Sequence, residues 1–182
     1  MADATEQFLK FKQLITTDAL PSLGPAVRPG TAAEKELLGK LDSFFTTTPA
    51  SPAIQPLLRA AALLWHDHLD ASHTISQGIE TREGSWLHGI MHRREPDYGN
   101  AKYWFHRVGN HPAFPELARR AAPLLEGEPN LQTRLIVQGA WQPFAFIDEC
   151  QRAEQGNGST DSLRAIQAAE FDVLIEHIFQ NA

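Results

Sequence analysis

Histidine is the side chain that titrates nearest neutrality and the commonest protein ligand for transition metals. Seven of the eight histidines, at positions 66, 68, 73, 88, 92, 106 and 111, fall within residues 66–111, a quarter of the 182-residue chain. Trp65, Trp86, Trp104, Tyr98 and Tyr103 lie in or beside the same window. On an α-helix turning by about 100° per residue, His66, Asp70 and His73 make one column at i, i+4 and i+7. His88, His92 and Glu95 repeat that spacing in the next segment. Two such columns, facing each other, assemble imidazoles and carboxylates as metal sites inside helical bundles do. A divalent metal is therefore the candidate cofactor. His73, His88 and His92 are its leading candidate ligands, with Asp70 and Glu95 as further ones. The same three histidines are the candidate acid/base groups if the chain is an enzyme. The competing reading is that His66 and Asp70, opposite the apolar stripe of their helix, are only solvated.

Other chemistries leave weaker marks. His88-Gly-Ile-Met-His92 lacks the glutamate of the HExxH metalloprotease motif, and no Gly-x-Ser-x-Gly elbow or glycine-rich nucleotide loop occurs. Ser72 cannot pair with the adjacent His73, which points about 100° away on a helix. The segment from His88 to Arg107 carries Arg93, Arg94, Lys102 and Arg107 against only Glu95 and Asp97. Guanidinium forks suit carboxylates and phosphates, and aromatic rings offer flat contact surfaces. The expected ligand is thus a small anionic or polar molecule. Arg93, Arg94, Asn100, Lys102, Tyr103 and Trp104 would line its pocket, joined by Asp70 and Ser72 from the preceding helix. Two alternatives stand beside this. The arginines could stitch helices together through acidic partners, or the aromatic and arginine surface could be the interface of a non-catalytic interaction module.

The elements that must position these residues read as helical nearly throughout. Asp3 and Glu6 precede an amphipathic run, and Thr31-Ala-Ala-Glu34 has the form of a capping box. Ser51-Pro52 opens a long helix expected to reach Gln77. Its apolar stripe runs into His68, Ser72 and Ser76, so the core face turns polar and needs partners there. Further helices are expected over 83–94, 100–109, 115–126, from Asn130 onward and up to Gln155. The expectation is an all-α, single-domain bundle of about seven or eight helices. Residues 1–50 form an N-terminal helical arm, 51–155 the central bundle, and 159–182 a C-terminal amphipathic helix through which a homodimer is the candidate assembly.

Sixteen basic against 22 acidic residues give a net charge of −6, which argues against a nucleic-acid partner. The most apolar stretch, Leu135 to Ile147, is interrupted by Gln138, Gln142 and Pro143 and is too short to span a bilayer. Asp3, Glu6 and Lys10 stand where a secretory signal would be apolar. A cytoplasmic protein is expected, with no membrane partner. The single cysteine, Cys150, reads as a core thiol. The stretch from Asp70 to Phe105, with SHTISQ followed by LHGIMHRREPDYGNAKYWF, resembles a family of microbial proteins to which no activity is attached. That resemblance implies no residue role and no chemistry.

Overall fold

The computed structural model describes residues 3–48 and 50–182; Met1, Ala2 and Pro49 lie outside them. The fold is all-α. Among the described residues, ten α-helices are accompanied by one two-stranded hairpin. Helix α1 (Ala4–Ile15) starts where the Asp3 carboxylate accepts the Glu6 N–H at 2.8 Å. It buries Phe8, Phe11 and Ile15. Helix α2 (Glu34–Thr47) buries Leu37, Leu41 and Phe44. The expected capping box is not used: Ala33 precedes the helix, and the Thr31 hydroxyl donates to the Arg28 carbonyl. Phe11 meets both Phe44 and Phe179 edge-on, so the first two helices and the last share one core.

The long third helix divides. Helix α3 (Gln55–Trp65) ends, Asp67 takes a left-handed backbone conformation (φ 68°), and α4 (Leu69–Ser76) sets off anew. Asp67 is buried because its carboxylate accepts hydrogen bonds from the Arg28 backbone and side chain and from Arg94. Asp is among the few residues that adopt this conformation at low cost. The Ser72 hydroxyl then donates to the Ala60 carbonyl at 2.9 Å and ties α4 back onto α3.

Helix α5 (Arg82–Arg94) is capped by the Thr81 hydroxyl, which accepts the Gly84 N–H, and is buried without interruption from Gly84 to Arg94. Helix α6 (Tyr98–Val108) is capped by Asp97 rather than Asn100 and stops at Gly109 (φ 60°). The two pack closely at Gly89, where a Cβ would come within 2.7 Å of the Phe105 ring. Helix α7 (Phe114–Ala121) continues into a 3₁₀ turn, and α8 (Pro129–Leu135) follows. The continuation expected as helix is instead a hairpin of β1 (Ile136–Val137) and β2 (Ala140–Trp141). Gln138 and Gly139 turn it with φ of 50° and 81°, the two positive values a tight hairpin needs. Strands of two residues are too short to show alternation. Helix α9 (Pro143–Glu154) starts on its proline.

Helix α10 (Thr160–Gln180) is not amphipathic. Leu163, Ile166, Phe171, Val173, Leu174, Ile175, Ile178 and Phe179 are all buried within the one chain, so no apolar stripe remains for a homodimer through this helix. Among the described residues, no helix is long and apolar enough to cross a membrane. Cys150 is buried, and burial pushes its thiol up to about 12.

Candidate metal centre

His88 and His92 are one helical turn apart on α5 and so share a face. Helix α4 packs against that face and brings His73 to it. One ring nitrogen from each of the three imidazoles lies within 4.8 Å of the others. The rings touch: His73 meets His88 and His92 edge-on, with centroids 4.7 and 5.5 Å apart. His88 and His92 stack 4.9 Å apart at 22°. Trp104, from α6, stacks on His88 at 3.8 Å and 14° and closes that side.

His88 and His92 are buried and His73 is half-buried. Burial first, then the neighbouring His92 and His73, pull His88 down to about 4. Burial also lowers His92, opposed by the carboxylate of Glu95. Both are therefore neutral at pH 7, the form in which imidazole binds metal. Nδ1 of His88 is buried and has no hydrogen-bond partner among the described residues. A buried polar atom left in that state costs about 1–3 kcal/mol.

His92 is held on several sides. Glu95 Oε2 lies 3.1 Å from its Nδ1. The Asn100 amide nitrogen is 3.1 Å from Nε2 and 3.4 Å from Nδ1. Being nearly equidistant from both, it lies over the ring face rather than along either in-plane lone pair.

Several expected site residues are elsewhere. Arg93 is fully buried: it pairs with Glu170 at 2.5 Å, donates to Gln167 at 3.1 Å, and lies 4.4 Å over the Phe146 ring. Arg94 pairs with Asp67 at 2.6 Å and donates to the Leu64 and Gly24 carbonyls. Neither is free to hold an anion, because α5 is enclosed and each guanidinium is spent on a partner inside the fold. Ser72 is likewise consumed by Ala60. Lys102 pairs with Asp148 on the surface at 2.5 Å. Tyr103 is 55% exposed. Asp70 faces solvent, and neither it nor Glu95 is among the three residues whose ligand atoms converge. His66 leaves the proposed column because the helix breaks beside it; its Nδ1 accepts the Ala32 N–H at 3.0 Å. Of the expected pocket residues, Asn100 and Trp104 are the ones in contact with the imidazole cluster.

A second cluster escaped the sequence reading. Glu83 at the start of α5, His111 before α7 and His177 on α10 also converge within 4.8 Å. His111 Nε2 is 3.2 Å and His177 Nε2 3.6 Å from Glu83 Oε1. The Ala113 N–H donates to His111 Nδ1 at 3.2 Å, so the ring proton sits on Nε2 and goes to Glu83. With Nδ1 already accepting, Nε2 cannot shed that proton and remain a neutral ring. His111 is therefore closed to a metal ion. The hydrogen bond from His111 is the main cause that holds the Glu83 carboxyl down to about 2. No local spacing marks this group, since its members come from three separate elements.

No family model, curated protein or solved structure matches this chain.

Proposed function

We propose that the chain is a metal-binding helical protein in which His73, His88 and His92 hold one divalent transition ion, zinc foremost. Three imidazoles leave a coordination position for water or a small polar molecule, the arrangement of catalytic rather than structural zinc sites. Once bound, the ion supplies Lewis acidity and a water acidic enough to ionise near neutrality. The reaction class that suits this is metal-assisted hydrolysis or a related acid/base step. The buried arginines are engaged elsewhere, so the ligand is recognised through the ion and polar contacts rather than by an arginine clamp.

The observation that carries this reading is the convergence of three imidazoles, one with a buried nitrogen that no described residue satisfies. Zinc–nitrogen bonds of about 2.0–2.1 Å require the rings to draw closer than they stand here. The test is zinc titration of tag-free protein, followed by elemental analysis after gel filtration. One equivalent is expected, and His88→Ala and His92→Ala should retain none. A folded wild-type protein that stays zinc-free in excess zinc ends the proposal.

A further inference from the structure

We propose that Glu95 is a positioning residue of this centre: it selects the nitrogen through which His92 binds the ion. The proposal rests on the metal-binding function assigned to the three histidines. Glu95 is the residue after α5, three beyond His92, and its Oε2 is 3.1 Å from His92 Nδ1. A carboxylate at that distance favours a proton on Nδ1, and the in-plane lone pair of Nε2 is then left for the ion. The ring is also packed above its plane. The Asn100 amide lies over the ring, and His88 stacks with it. Metal-binding histidines are commonly held in this way, with the non-ligating nitrogen on a carboxylate that fixes the tautomer and raises ligand basicity.

The other nearby acid does different work. Asp97 accepts the Asn100 N–H at 3.1 Å and caps α6. Among the described residues, His92 is the one member of the triad with a carboxylate beside its ring, whereas His88 Nδ1 has no hydrogen-bond partner. Glu95 is itself exposed, so its replacement leaves the core intact and isolates its effect on the ring.

The experiment compares wild type, Glu95→Ala, Glu95→Gln and His92→Ala as full-length, tag-free proteins. Zn²⁺ affinity is read by competition with a chromophoric chelator, and geometry by the visible absorption of the Co²⁺ form. Glu95→Ala should weaken zinc by about 10–100-fold and shift the Co²⁺ bands. Glu95→Gln should recover most of the loss, because its amide oxygen still accepts from Nδ1–H. Glu83→Gln, which alters a carboxylate outside the centre, should change neither readout. Should Glu95→Ala lose its helical circular dichroism, Glu95→Asp, with its shorter reach, replaces it. Wild-type affinity and spectrum in the Glu95 variants, alongside lost binding in His92→Ala, would remove Glu95 from the centre and leave the metal site standing. No zinc or Co²⁺ binding by wild type would remove both.

Discussion

His73, His88 and His92 sit together with a buried ring nitrogen to spare, whereas Glu83, His111 and His177 sit together around a His111 whose two nitrogens are both engaged. Each group places its candidate ligand atoms within 4.8 Å, so distance does not separate them. Hydrogen-bond direction does. The Ala113 N–H holds one nitrogen of His111 and Glu83 takes the proton of the other. Asn181 stands 3.3 Å from Nδ1 of His177, whose Nε2 faces the same carboxylate. This second group is a clamp that fastens α10 and the loop before α7 to the start of α5. The first group has only imidazoles at its centre, and its one carboxylate contact comes from the side. A set of metal-type residues becomes a metal site only where lone pairs stay unclaimed.

The largest expected difference lies in metal affinity. His88→Ala should lower zinc affinity by more than the roughly 100-fold that outer partners command, while His111→Ala should keep one equivalent. Zinc titration by calorimetry decides this. A second tight equivalent in wild type, or loss of the first in His111→Ala, would break the contrast.

Acid should separate the clusters next. The folded pKa of His88 is depressed, from 6.5 to about 4, so the unfolded metal-free chain takes up that proton first. The group leaves stability independent of pH above 6.5 and lowers it as pH falls toward 4, by up to about 3 kcal/mol at 1.36 kcal/mol per pH unit. Glu83 is depressed from 4.5 to about 2. Its contribution is complete above pH 4.5 and is lost toward pH 2, and is smaller after solvent screening. Urea melts at pH 7, 5 and 3 should show His88→Phe flattening the upper window and Glu83→Gln the lower. Flattening of one window by both variants would merge the two regions.

The smallest contrast is in stability at pH 7. Glu83→Ala leaves the buried Nε2–H of His111 unpaired and should cost about 1–3 kcal/mol. His88→Phe removes an unsatisfied nitrogen from a ring stack with His92 and Trp104 and should be neutral or stabilising. Opposite signs in denaturant midpoints sharpen the contrast; equal losses erase it.

Some of this was readable from the chain. The pair His88 and His92 follows from helical spacing within the helix expected over 83–94, and a short connection from α4 makes His73 their neighbour. The all-α class follows from the same periodicity. The break at Asp67 was not readable, because no glycine or proline marks it. What holds it is Arg28, 39 positions earlier, together with Arg94. Arg93 follows the alternative in which arginines stitch helices through acidic partners, not the pocket reading, and which partners it takes was not readable: Glu170 and Gln167 approach from α10, 77 and 74 residues on. The clamp at Glu83 depends on the same long-range meeting of elements, which local spacing cannot express.

Asp67 gives the chain a joint whose stiffness is electrical. One carboxylate in a left-handed backbone answers to two guanidiniums, and the angle at which α4 leaves α3 is set there. Asp67 and Arg94 are shielded from solvent, so dissolved ions do not reach the joint and it yields only to a change in the residues that make it. The reach of the third imidazole is thus governed by a residue that never touches it.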